Sequence, residues 1–341
     1  MTAFVGVEGV SKWVAEKGAE KVIGELTDYL ADDYVRWEEF DKKPRVASHS
    51  EVGVIELMPA ADSKLYGFKY VNGHPANPAR GFQTVTAFGA LAEVHNGYPI
   101  LIAEMTLLTA LRTAATSALA ARTLARKDSK KLGMIGSGCQ SPFQALAMRS
   151  ALGINDLSVW DVDAKAMETF AAHAKSLGFN VRIATSAADA VDGVDVVTTC
   201  TADKALATVL HDCDIAKGMH LNAIGGDCPG KTELETSILH RPESQVFVEF
   251  EPQTRIEGEI QHCSPDFPVT ELWTVLAGQA EGRRDSEAIT IFDSVGFGIE
   301  DFTVLRYIHE KMADSAYMEE IDIIADPENP KDLYSLIAAQ G

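Results

Sequence analysis

Apolar residues recur at helical spacing between residues 13 and 40. Val14, Val22, Ile23, Leu26, Leu30, Tyr34 and Trp37 stand on a charged background, which predicts one or two amphipathic helices. From Arg45 the period changes. Residues 52–58 and 65–71 read as strands, and the apolar runs 84–94 and 98–104 flank His95-Asn96-Gly97. An Asn-Gly pair between two such runs is a hairpin signal. The first part of the chain is therefore expected to be an antiparallel sheet with helices. An Ala/Leu/Arg-rich helix over 109–126 should join it to the second half of the chain.

Past residue 130 strands and helices alternate. A short apolar strand runs from Lys131 into Gly136-Ser137-Gly138-Cys139-Gln140-Ser141, and Pro142 then opens a helix. A second strand, 157–161, ends on Asp161. The pattern continues with a helix at 164–177, a strand at 180–183, a helix at 187–191 and strands at 194–200, 219–225, 245–249 and 289–294, before a helix over 299–312. Such alternation implies a doubly wound parallel sheet of Rossmann type. The expected division is residues 1–112 together with 317–341 as an α+β antiparallel-sheet domain for substrate and dimerisation. Residues 113–316 would form the dinucleotide-binding domain, with the tail packing back on the first domain.

In a doubly wound sheet, ligands meet the loops just beyond the strand C-termini. Those loops hold 136–140, Asp161, Thr201, 225–231, Ser294 and Val295. Gly136 and Gly138 allow a tight turn and a close approach to a pyrophosphate, which the adjoining helix N-terminus favours. A lone G-x-G-x-x-S is weak. Asp161, about 20 residues on at a strand end, strengthens it as the group that grips the ribose hydroxyls. A carboxylate there repels a 2′-phosphate and so favours NAD over NADP.

The stretch Gly225-Gly226-Asp227-Cys228-Pro229-Gly230-Lys231-Thr232 formally matches a nucleoside-triphosphate P-loop. That reading is rejected. A carboxylate would oppose the ligand's charge, Pro229 removes a backbone donor, and a cofactor turn already adjoins the first strand. Asp227 instead stands in the cleft, where a carboxylate can exchange protons with a substrate; its bland alternative is a turn residue capping the next helix.

Composition narrows the partners. The formal charge of the 341 residues is -20, from Asp+Glu 50 against Lys+Arg 30. This argues against nucleic acid and anionic membrane, and an anionic ligand needs a local cluster of cations. Arg45, Lys69 and Arg112 are cations set among apolar residues, and Glu56 and Lys69 interrupt apolar strand runs. Each alone reads as a solvated face or a structural ion pair; together they could hold a carboxylate at one end of a zwitterion, although spacing does not show that they converge. Five cysteines without C-x-x-C spacing fit a reducing cytoplasm. The N-terminal residues do not read as a signal peptide, and no apolar run reaches membrane-spanning length. The histidines lack metal-ligand spacing, so no metal is expected.

The blocks 41–50, 68–75, 110–117, 136–141, 222–232, 250–255 and 292–296 together resemble the ornithine cyclodeaminase/mu-crystallin family, over about residues 20–310. The arginine helix and glycine turn resemble the family at large. The Gly-Gly-Asp-Cys-Pro-Gly-Lys run and the Arg45 and Lys69 blocks resemble its bacterial cyclodeaminase branch, in which Cys139 stands at the place of a smaller residue. The resemblance implies that Arg45, Lys69 and Arg112 hold a substrate carboxylate, with Arg112 also near the nicotinamide. It further implies Asp227 as catalytic acid/base, Glu56 as a holder of an amine and Val295 as a border of the substrate. NAD would contact Thr84, Cys139, Gln140, Asp161, Thr201, Lys231 and Ser294, besides the strand-end residues Ala223, Ile224 and Gly225. The implied reaction is L-ornithine to L-proline and ammonia by internal hydride transfer, ring closure and re-reduction, in a homodimer built through the antiparallel domain. A lysine cyclodeaminase, or a ketimine reductase or amino-acid dehydrogenase of the same family, is the alternative.

Overall fold

The computed structural model describes residues 1–202, 208–226 and 228–338. Asp227 lies outside the described residues. The chain opens with β1 (Thr2–Val5), α1 (Val7–Lys17) and α2 (Ala19–Val35). The stripe that predicts α2 is its buried face: Val22, Ile23, Leu26, Leu30 and Tyr34 are all withdrawn from water. Then come β2 (Asp41–Lys42), β3 (Val46–Ser50), β4 (Gly53–Ala61), β5 (Leu65–Gly73), β6 (Ala87–Glu93), β7 (Pro99–Glu104) and α3 (Thr106–Leu124).

The second half runs β8 (Lys131–Ile135), α4 (Ser141–Leu152), β9 (Asp156–Trp160), α5 (Ala164–Ser176), β10 (Asn180–Ile183), α6 (Ala187–Val191), β11 (Val196–Thr199) and β12 (His220–Ala223). It continues through α7 (Thr236–Leu239), β13 (Ser244–Val248), α8 (Glu251–Glu257), β14 (Thr270–Glu271), α9 (Leu272–Leu276) and β15 (Ile289–Asp293). The chain then returns through α10 (Gly298–Met312), β16 (Glu319–Ile321) and α11 (Ser335–Ala338).

Two eight-stranded sheets form among the described residues. The first is mixed and mostly antiparallel, in the order β16-β1-β7-β6-β5-β4-β2, with β3 also paired to β4. The hairpin expected at Asn96-Gly97 joins β6 to β7, with Gly97 at φ 76. The expected strand start at residue 84 is late by three residues, because Thr84 and Thr86 bond the end of β5 through His74 and Asn72 before β6 begins. β1, at the very start of the chain, pairs with β7 on one side and with β16 on the other. So the tail returns to the first sheet, as expected. The second sheet is all parallel, in the order β10-β9-β8-β11-β12-β15-β13-β14. The strand order reverses at β8, from which the chain winds first to β9 and β10 and then back to β11, and that is where a doubly wound sheet opens a ligand crevice.

The mixed sheet departs from the usual rule of apolar inside and polar outside: charged side chains stand on its otherwise apolar inner face, and apolar ones on its outer face. On β4, Glu56 and Met58 face inward while Ile55 and Leu57 face water. On β5, Lys69 is 1% exposed whereas Tyr66 is 41% exposed. The inner face is closed by α10, which packs on β4, β5 and β6. This helix comes after the last parallel strand, yet it belongs by contact to the other sheet. Its first residue, Gly298, lies so close to β4 that a Cβ there would stand 2.8 Å from the Pro59 carbonyl oxygen.

Candidate active site

The crevice at the parallel sheet's switch point is lined first by the glycine turn. Gly136 has φ 94, and a Cβ on it would meet the Cys200 carbonyl oxygen at 2.8 Å. Only glycine fits there without strain. A Cβ on Gly138 would meet nothing within 4 Å, so the turn presents open space beside the N-terminus of α4. Asp161, just past β9, accepts from the Ser137 backbone N–H at 2.6 Å and from its hydroxyl at 3.0 Å. That places a carboxylate against the glycine turn. Cys139 is exposed in the same turn, whereas the Gln140 side-chain amide donates to the Ala110 carbonyl of α3.

The adjoining strand ends are fastened by buried carboxylates. Glu233 accepts from the Thr199 hydroxyl (2.6 Å), the Thr201 N–H (2.8 Å) and hydroxyl (2.6 Å), and the Gly225 N–H (2.9 Å). It thereby ties the ends of β11 and β12 together next to Ala223 and Ile224. Glu259 accepts from the backbone N–H groups of Glu233 and Leu234, and Asp293 accepts from those of Glu259 and Ile260. Each acid thus holds the backbone of the next. Burial pushes the Asp293 carboxyl up to about 7. Lys231 is buried and donates to the Thr201 carbonyl at 2.8 Å.

The second wall comes from the mixed sheet. Arg45 reaches from the segment before β3 to the carbonyls of Val295 (2.5 Å) and Gly296 (2.8 Å), and pairs with Glu56 at 3.1 Å and Glu257 at 3.2 Å. Lys69 and Arg112, from β5 and α3, share one carboxyl oxygen of Asp301, at 2.8 and 3.1 Å. Arg112 also pairs with Glu300 at 2.5 Å, and Glu300 accepts from the Tyr34 hydroxyl. A Cβ on Gly296 would stand 2.8 Å from an Arg112 guanidinium nitrogen. The three cations that sequence spacing left unrelated therefore meet on one stretch, residues 295–301. Burial first, and then the charge of Arg112, push Lys69 down to about 8, against the pull of Asp301.

Apart from Glu56, sequence reading missed the acids that partner these cations. Glu300 and Asp301 sit in the first turn of α10, where acidic residues ordinarily serve the helix dipole in water. Glu233, Glu249, Glu257 and Glu259 belong to no motif that marks them, yet all are buried. The one available signal was position, since Glu249 and Asp293 stand at or just past the ends of apolar strands. Thr84 lies in the connection before β6, its carbonyl accepting from the His74 N–H. No group of side chains suited to a metal ion occurs among the described residues, and no helix among them is long and apolar enough to cross a membrane.

The sequence pattern of the ornithine cyclodeaminase/mu-crystallin family matches residues 8–316. The chain belongs to this family. Within it, the chain is 53% identical over 334 residues to an ornithine cyclodeaminase of Agrobacterium fabrum, covering 98% of this chain and 94% of that one. Among solved structures of the family's fold, a lysine cyclodeaminase described as recognising L-lysine, L-ornithine and L-2,4-diaminobutyric acid superposes with a TM-score of 0.92. It is 32% identical and covers 98% of this chain and 99% of its own. An archaeal alanine dehydrogenase, described as a dimer with bound NAD, superposes with a TM-score of 0.85 at 30% identity, covering 95% and 99%.

Proposed function

We propose that this chain converts L-ornithine to L-proline and ammonia, using NAD held in the parallel-sheet crevice. The observation that carries the reading is the meeting of Arg45, Lys69 and Arg112 on residues 295–301, directly beyond the last parallel strand. The 53% identity to ornithine cyclodeaminases over 98% of the chain gives the substrate.

The residues present fit a dinucleotide. The open space over Gly138, the N-terminus of α4 and the carboxylate of Asp161 suit a pyrophosphate and a ribose diol in turn. Gly136, Cys139, Gln140, Thr84, Thr201, Ala223, Ile224, Gly225, Lys231 and Ser294 are the further contacts in this reading. When bound, the nicotinamide supplies a reversible store for one hydride.

The remaining work falls to the chain. Arg45, Lys69 and Arg112 hold the substrate carboxylate and fix the α-carbon, with Val295 bordering it and Glu56 receiving an amine. Asp227 exchanges the proton of the α-amine, since only a neutral amine can release electron density from the α-carbon. The δ-amine closes the ring at that same carbon and ammonia departs. Because substrate and products are at one oxidation level, the reaction consumes no cofactor.

The deciding experiment is incubation with ornithine and trace NAD. Proline and ammonia in large excess over NAD are expected. Product in proportion to NAD consumed would instead make the protein a dehydrogenase. Competition between ornithine and lysine addresses the second reading, which the lysine cyclodeaminase likeness favours; one methylene is worth about 1–3 kcal/mol of discrimination.

The homodimer belongs to the same proposal. Ile55, Leu57, Tyr66 and Phe88 expose an apolar and aromatic sheet face of the kind that a second copy would cover. In this reading residues 1–112 with 317–341 form the dimerisation and substrate domain, and 113–316 the NAD domain. None of the five cysteines is in a disulfide, which supports a reducing compartment.

A further inference from the structure

Glu249 stands immediately after β13 and is 0% exposed. Its carboxyl group accepts from the Ser294 hydroxyl, from the Val295 N–H at 3.2 Å and from the Gly296 N–H at 3.3 Å. No arginine or lysine forms an ion pair with it among the described residues. Its one set of bonds is to a single turn.

The opposite edge of that turn carries the substrate-side cation. The Val295 and Gly296 carbonyls both accept from Arg45, and the Gly296 carbonyl accepts also from the Gln253 side chain at 2.7 Å. Gln253 in turn accepts from the Arg45 backbone N–H at 3.1 Å. Val295 and Gly296 are therefore each gripped from both sides, by Glu249 through their N–H groups and by Arg45 and Gln253 through their carbonyls, and the peptide unit between them is held at both ends. Gly296, at φ 76, brings the same turn against Arg112.

We propose that Glu249 is a positioning residue for the substrate carboxylate site: it fixes the turn at residues 294–296, and through that turn the placement of Arg45 and Arg112. Burial, and then the nearby charge of Glu300, push the Glu249 carboxyl up to about 8, with no ion pair to it among the described residues to offset them. A glutamine is then a close substitute at neutral pH, because its amide oxygen can still accept from Ser294 and Gly296. Alanine leaves those donors buried and unmet.

The inference rests on the ornithine reaction for its kinetic readout, so wild-type turnover is measured first. Glu249→Ala should raise the KM for ornithine about 10-fold or more, while NAD affinity, read by NADH fluorescence titration, falls by a smaller factor, through the freed Ser294 hydroxyl alone. Glu249→Gln should restore KM to within about threefold of wild type. Should the alanine variant not accumulate folded, Glu249→Asp, one methylene short of the turn, carries the same test. A merely structural role would lower the folded fraction and leave the KM of the folded enzyme unchanged, and that result overturns the proposal. A wild type without ornithine turnover would overturn the reaction reading alone. The role of Glu249 would then be decided by hydrogen exchange at Val295 and Gly296, where unchanged protection in Glu249→Ala refutes it.

Discussion

The two sheets place their charged groups in opposite ways. In the parallel sheet the central strands are buried and largely apolar, and acids gather beyond the strand ends, where Glu233, Glu259 and Asp293 hold backbone N–H groups and form no ion pair among the described residues. In the mixed sheet the charges sit within the elements. Glu56 and Lys69 lie mid-strand, Arg112 mid-helix, and each has an oppositely charged side chain as its partner. The first arrangement fixes loop positions. The second keeps cations desolvated but balanced, ready to face a carboxylate. The difference teaches that a buried acid in this protein has two distinct jobs, and that its partners tell which.

The largest expected break in this contrast is at the proposed acid/base. Asp227→Asn should lower kcat by ~10²–10⁴-fold while leaving NAD affinity near wild type; steady-state kinetics beside a binding titration would show it, and near-normal turnover removes Asp227 from the role. Next comes the balanced cluster. Arg112→Ala leaves Glu300 and Asp301 buried with less compensation, so denaturant unfolding should register a loss of about 3 kcal/mol, with a raised KM for ornithine in the protein that folds. A loss within experimental error would mean that the cluster is not electrostatically balanced as described.

Lys69 gives a sharper, pH-resolved test. Its folded pKa of about 8 lies below the ordinary 10.5. Between those values the unfolded chain holds the extra proton, so raising the pH through this window favours folding through this group. Comparing wild type with Lys69→Met from pH 8 to 10, the wild type should gain stability relative to the variant; parallel curves would count against the lowered pKa. The smallest effect is at the cofactor end. Asp161→Ala should reduce the preference for NAD over NADP by about 10-fold, roughly 1.4 kcal/mol, because the repelled 2′-phosphate is no longer opposed. An unaltered ratio removes Asp161 from the ribose site.

Legibility in the sequence divided along the same line. The parallel sheet was readable because both faces of its central strands are covered, so that β8, β9 and β15 are mostly apolar runs leading into Gly136, Asp161 and Ser294. The mixed sheet was readable as strands but not as faces. Ile55, Leu57, Tyr66 and Phe88 look like core residues and are exposed, whereas Glu56 and Lys69 look like a solvated face and are buried. Alternation gives the period and cannot say which side meets water when both sides carry apolar residues. The convergence of Arg45, Lys69 and Arg112 was beyond sequence for another reason. It depends on α10 crossing back from the last parallel strand to the other sheet, a long-range connection with no local signature.

That crossing begins at Gly298, where helix and strand backbones touch. Glu300 and Asp301 ride on the same helical turn, so the spacing of the cations they hold is inherited from a contact in which no side chain takes part. A single methyl group added at Gly298 would lift the start of the helix from β4 and shift both carboxylates together. The electrostatic tuning of the pocket is thus constrained at a position that bears neither charge nor side chain.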